Sequence, residues 1–158
     1  MTVGECMKRE VTAVLPGTTV REAARVLVER HVGTLPIVDA NQVLLGIVGV
    51  TEILTIFLPD FVALLEDIDF VKDFGALEDL EPKDVPEAST LTMKDIMKEP
   101  IAVEEDAGLL RAFALMKKHN LLDLPVVSKD GKLLGIASPV DVACGFLSAW
   151  AENRSHAQ

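Results

Sequence analysis

Residues 34–54, "TLPIVDANQVLLGIVGVTEIL", lie over residues 123–143, "DLPVVSKDGKLLGIASPVDVA", when the chain is slid along itself by 89 positions, so that Leu35-Pro36 meets Leu124-Pro125. Extended outward, the match runs without a gap from 11–54 onto 100–143. Identities fall at Ala13/Ala102, Val14/Val103, Ala23/Ala112, Val38/Val127 and the block Leu44-Leu45-Gly46-Ile47 over Leu133-Leu134-Gly135-Ile136. Self-similarity at a fixed period marks a duplicated supersecondary unit.

Each copy reads locally in the same way. "LPIVD" and "LPVVS" are β-branched runs with Pro near the strand start, where a missing N–H does least harm. "ANQ" and "KDG" supply turn chemistry, and "VLLGIVG" and "KLLGIAS" return as the second strand of a hairpin. Upstream, "VTAV" (11–14) and "IAV" (101–103) predict short strands. "TVREAARVLVERH" (19–31) and "AGLLRAFALMKKH" (107–119) carry Ala, Leu and Val at helical spacing. Thr19 with Glu22 is a capping signal for the first of these helices. A closing helix is predicted at about 50–58 and again at 139–150. The fold class is therefore α/β (α+β), a β-α-β-β-α unit twice.

Composition sets the frame. At 158 residues, 49% hydrophobic, with a mean hydropathy of +0.32, the chain can form one compact domain without a metal or disulfide staple. Cys6 and Cys144 match no zinc or redox spacing and, with no secretory leader read at the N-terminus, predict a reduced, cytoplasmic protein. A net charge of −10 works against nucleic acid or anionic lipid as a partner, and no apolar stretch is long enough to span a membrane. His31, His119 and His156 stand at no metal or triad spacing, and no phosphate loop or HExxH is present, so neither catalysis nor a metal site is expected.

The order of elements, together with "LPIVD…LLGIVGVTE" and "LPVVS…LLGIASPVD", resembles a tandem pair of cystathionine β-synthase (CBS) domains, a Bateman module. The resemblance covers about residues 4–58 and 91–150 and takes in "CMKREV" and "DIMKEP". It divides the chain into repeat one (1–58), an insert (59–90), repeat two (91–150) and a tail (151–158). It implies two sheets packed about a pseudo-twofold axis, two clefts between the repeats, and a standalone regulatory module. Such clefts hold adenosyl ligands, namely AMP, ADP, ATP or S-adenosylmethionine, and act on a partner protein in trans.

"SPVD" (138–141) has two readings. Ser138 as N-cap, Pro139 at the first helical position and Asp141 at the third make a cap. Asp141 can equally accept both hydroxyls of a ribose, as acidic residues do in dinucleotide sites. The resemblance implies the second, because Gly135, Ser138 and Asp141 match the family's G-h-h-[ST]-x-x-D pattern. It adds Ile136 and, from repeat one, Thr12, Val32, Gly33 and Thr34 as the other walls of that cleft. The equivalent run in repeat one, "GIVGVTE", has Gly49 for the Ser and Glu52 for the Asp. Its cleft would be completed by Thr51 and, from repeat two, by Ile101, Leu121, Leu122 and Asp123, and the last four, bulky and apolar or acidic, make it the weaker site.

Family members that hold phosphate place a basic residue just before the Leu-Pro strand, and here Gly33-Thr34 and Leu122-Asp123 occupy those places. S-adenosylmethionine, a related adenosine or AMP is therefore expected over ATP. Arg30, His31, Lys117, Lys118 and His119 close the preceding helices; they either reach into the clefts or, as cations in a last turn more often do, serve the helix dipole.

Residues 55–90, the insert with the few residues before it, carry ten acidic residues against Lys72 and Lys83, which leaves −8 of the chain's −10, and four of the chain's six Phe. Phe61, Leu64, Ile68 and Val71 predict a helix over about 60–74. It serves either as a linker helix on its own domain or as a partner interface. A homodimer, a four-repeat disc, is expected from the resemblance, with Trp150 either in that interface or closing the core. A ligand-free dimeric scaffold is the competing function.

Overall fold

A computed structural model describes residues 1–57 and 90–154. The helix expected over 60–74 lies outside the described residues. The first repeat contains α1 (Val3–Cys6), α2 (Val20–Arg30), β1 (Thr34–Val38), β2 (Leu44–Gly49) and α3 (Val50–Phe57). The second contains α4 (Met93–Ile96), β3 (Val103–Glu104), α5 (Leu109–His119), β4 (Leu124–Val127), β5 (Leu133–Ala137) and α6 (Pro139–Arg154).

The hairpins form in equivalent register, with Pro36 opposite Ile47 and Pro125 opposite Ile136. Both ladders shift at the same place, between Ile37 and Val38 and between Val126 and Val127. Positive φ falls at matched positions too. Gln42 and Gly131 carry it at the hairpin tips, and His31 and Asn120 carry it where α2 and α5 end. The tips meet across the pseudo-twofold axis: Leu44 N–H donates to Gly131 C=O at 3.0 Å and Leu133 N–H to Gln42 C=O at 2.9 Å.

The first strands are shorter than expected. Residues 11–14 contribute one parallel bridge, Val14 to Ile37, and residues 101–103 shift into the two-residue β3, where Val103 pairs with Val126. Pro16 two residues past Val14 and Asp106 two past Glu104 are turn residues that end each run before a ladder can grow.

Each repeat's core is closed by a segment that precedes the other repeat. Val3 and Met7 are buried with Leu124, Val126, Ala112, Met116 and Val142 of the second repeat. Met93 is buried with Leu35, Ile37, Val48 and Ala23 of the first, with Leu91, Ile96 and Met97 against it. The crossing backbone is stitched down on both sides. Lys8 and Ile136 exchange hydrogen bonds of 2.8 and 2.9 Å, and Lys98 and Ile47 exchange bonds of 3.0 and 3.1 Å.

These crossings explain the glycine in each "LLGI". A Cβ on Gly135 would stand 2.8 Å from Lys8 C=O, and one on Gly46 would stand 3.0 Å from Lys98 C=O. Glycine alone lets the crossing strand lie this close. The short helices that open the crossings start with matched capping boxes, Thr2 with Glu5 and Thr92 with Asp95. Trp150 is half exposed, so it does not close the core.

Candidate functional site: two clefts between the repeats

The Asp141 cleft has a volume of about 210 Å³. It brings together Thr12, Val32, Gly33 and Thr34 of repeat one with Ile136 and Asp141 of repeat two, six of the seven expected residues. Ser138, the seventh, is not in the lining; it acts behind Asp141. Its backbone N–H and its hydroxyl both donate to Asp141 Oδ2, at 2.8 and 2.7 Å, and the hydroxyl accepts from Asp141 N–H at 3.2 Å. This is a closed capping box, with Pro139 first in α6 as expected.

Every one of those carboxylate contacts falls on Oδ2, and so does the 3.6 Å approach of Lys8 Nζ. Burial pushes the Asp141 carboxyl up, but the hydroxyl and amide of Ser138 and the charge of Lys8 outweigh it and hold the group below the usual carboxylate range. Asp141 is thus an ionised acceptor held in place by one oxygen.

The second cleft, about 240 Å³, gathers Thr51, Glu52, Ile101, Leu121, Leu122 and Asp123, all of the residues expected there. Glu52 Oε2 accepts from Gly49 N–H at 2.8 Å, the same backbone donor position that Ser138 supplies in the other repeat. A Cβ on Gly49 would come within 2.8 Å of that oxygen. The longer carboxylate therefore goes with a missing side chain, and the two departures from the family pattern are one adjustment. Glu52 Oε1 takes Lys98 Nζ at 2.6 Å. Burial raises the Glu52 carboxyl, while the bonds from Lys98 and from Gly49 N–H lower it further, below the usual range. Thr34 and Asp123 line both clefts, which stand on either side of one wall.

Several lining residues had no place in the motif reading. Lys8 and Glu10 enter the Asp141 cleft on the crossing segment, and Lys98 and Glu99 enter the other. The recurrence of Met-Lys at 7–8 and 97–98 was the available signal. His31 and His119, at the ends of α2 and α5, also line the two clefts, next to the left-handed backbone at His31 and Asn120. Arg30, Lys117 and Lys118 are absent from both linings.

Among the described residues no group of acidic, His or Cys side chains could hold a metal ion, and no helix is long and apolar enough to cross a membrane. Cys6 is half-buried, Cys144 is exposed, and both are free thiols.

A sequence profile of the CBS domain matches residues 3–59 and 93–144. The chain belongs to the CBS domain family. The two repeats form a CBS pair, or Bateman module, as the resemblance implied. The chloroplastic CBS domain-containing protein CBSX2 of Arabidopsis thaliana is 32% identical over an alignment of 166 residues, covering 98% of this chain and 67% of the plant protein. Its relative CBSX1, also chloroplastic, is 32% identical over 147 residues, covering 85% of this chain and 59% of that protein. A crystal structure of CBSX2 in complex with AMP superposes with a TM-score of 0.70 at 29% identity, covering 94% of this chain and 97% of that one. The CBS pair thus spans about three fifths to two thirds of the two plant sequences.

Proposed function

We propose that the CBS pair is a non-catalytic regulatory module that binds an adenosyl compound in the Asp141 cleft and acts on a partner protein in trans. The observation that carries this reading is Asp141 itself, ionised and fixed through Oδ2, with Oδ1 unclaimed by any described residue. A vicinal diol of a ribose matches such an acceptor. Thr12, Gly33 and Thr34 opposite it offer hydroxyls and room for close approach to the base. The AMP complex of CBSX2 supports adenosine as the ligand class.

The charges around the cleft favour a ligand with one phosphate or none. Glu10, Asp123 and Asp141 face Lys8 and His31 there, so the lining is acidic on balance and repels a triphosphate. AMP, or a cationic adenosyl compound such as S-adenosylmethionine, is taken in preference to ATP. Homodimerisation is part of the proposal. Leu110, Phe113, Val140, Phe146 and Leu147 are exposed on α5 and α6, an apolar face of the kind that marks an interface. That same face favours the second reading, a ligand-free interaction module. A cytoplasmic location is the setting in which we place the module.

Thermal unfolding with AMP, S-adenosylmethionine and ATP tests the choice. AMP or S-adenosylmethionine raises the melting temperature in proportion to log concentration, as binding to the folded state requires. The Asp141→Asn variant, which keeps an oxygen for the cap, loses that rise. If no ligand shifts the transition at millimolar concentration, the scaffold reading wins. A larger rise with ATP would overturn the charge argument.

A further inference from the structure

The geometry points to Lys98 as the resident occupant of the Glu52 cleft, an internal cation that a ligand must displace. The inference rests on the adenosyl reading for the identity of that ligand. It concerns what separates the two clefts of one chain, and its origin is in how the two carboxylates are engaged.

Both carboxylates stand third in a helix, each facing a cleft made by both repeats, and each receives a lysine from the crossing segment of the other repeat. Lys8 and Lys98 are anchored alike, by paired backbone bonds to Ile136 and Ile47. The outcomes differ. Lys8 Nζ stops 3.6 Å from Asp141 on the oxygen already used by Ser138, outside hydrogen-bond reach. Lys98 Nζ closes to 2.6 Å on the oxygen of Glu52 that the cap does not use. Glu52 therefore has no oxygen without a partner, and Asp141 keeps one.

Two residue choices produce this. The extra methylene of Glu52 carries its carboxylate toward Lys98, and the missing side chain at Gly49 makes room for the other oxygen. An ammonium on that oxygen occupies the place where a sugar hydroxyl would donate. Lys98 remains 67% exposed, so it competes with a ligand and does not wall it out. The second cleft is consequently weakened by a latch that salt or mutation can release.

Calorimetric titration of the full chain with AMP tests the latch. Wild type shows one strong event, lost in Asp141→Asn. Lys98→Met, and separately Gly49→Ser with Glu52→Asp, bring out a second event up to about fivefold tighter than any residual wild-type one, the scale of an exposed ion pair. No second event in either variant, or two equal events in wild type, would overturn the latch. Failure of AMP to bind wild type at all sinks the adenosyl reading instead, and the latch is then read without ligand. In a double-mutant cycle of Glu52→Gln and Lys98→Met, the melting-temperature shifts are non-additive at low salt and become additive at high salt. They exceed the coupling of Asp141→Asn with Lys8→Met. Additivity at low salt overturns the latch on its own.

Discussion

At the start of α6 a serine and an aspartate complete a capping box, whereas at the start of α3 a glycine and a glutamate complete half of one. The halves do the same structural job, since both give a carboxylate oxygen to the first free backbone N–H of a helix. They differ in what is left over. Where Ser138 donates its hydroxyl and its amide to one oxygen, the second oxygen of this cleft-lining residue has no described partner. Where Gly49 offers only its amide, the side chain is longer and its second oxygen is taken by Lys98. A cap and a ligand site are therefore not competing descriptions of Asp141; the way the cap is built decides whether an acceptor remains.

The comparison can be broken at the level of the whole repeat first. Leu35 and Leu124 are both fully buried at the heads of equivalent strands. Truncating either to Ala costs about 2–5 kcal/mol. Because each repeat's core is closed by a segment from the other, both variants are expected to unfold in a single transition in urea. Two separated transitions, with only one moved, would mean that the repeats are energetically independent.

A smaller effect separates the two caps. Ser138→Ala removes the hydroxyl that accepts from Asp141 N–H and is expected to lower stability by about 1 kcal/mol. Gly49→Ala removes no hydrogen-bonding group, yet it should destabilise slightly, since Ala is a poorer N-cap than Gly and Glu52 Oε2 must shift away from the new Cβ and loosen its bond to the residue 49 N–H. Combining Gly49→Ser with Glu52→Asp restores the family pair and should recover that loss. Urea midpoints of the single and double variants show whether these positions act as a unit.

The smallest expected effect is on the acid limb. Asp141 and Glu52 both titrate below their ordinary range in the folded protein, so each stabilises it above the unfolded-state pKa of about 4. That stability is lost as pH falls through about 4 and below. Asp141→Asn and Glu52→Gln should each flatten the fall in melting temperature between roughly pH 6 and pH 3. For Glu52→Gln the flattening should shrink as salt is added, because part of the depression comes from Lys98. An acid limb unchanged in both variants would show that neither carboxylate is held ionised by its surroundings.

Much of this was legible in the chain because the decisive signals are local. β-Branched runs and turn residues mark the hairpins, and Thr19 with Glu22 forms the cap that its spacing predicts, with Glu22 N–H donating to Thr19 Oγ at 3.2 Å. The match at 89 residues then makes each copy a check on the other. The first strands were overread, because a β-branched run does not reveal that a turn cuts it short. Lys8 and Lys98 escaped the motif reading for a different reason: their partners lie in the other repeat, and no window of sequence contains both ends of such a contact. The glycines of the two "LLGI" blocks recorded the crossings indirectly, as places where a side chain was forbidden, but they did not say by what.

The exchange of Val3–Met7 and Leu91–Met97 between the repeats has a consequence for dissecting the molecule. Expressed separately, each half would carry the lid that fits its neighbour and lack its own, exposing the apolar floor around Val126 in one and Ile37 in the other. Brought together, the halves would reassemble by returning those lids. A proteolytic nick between them would thus leave a non-covalent heterodimer and would not release two autonomous domains.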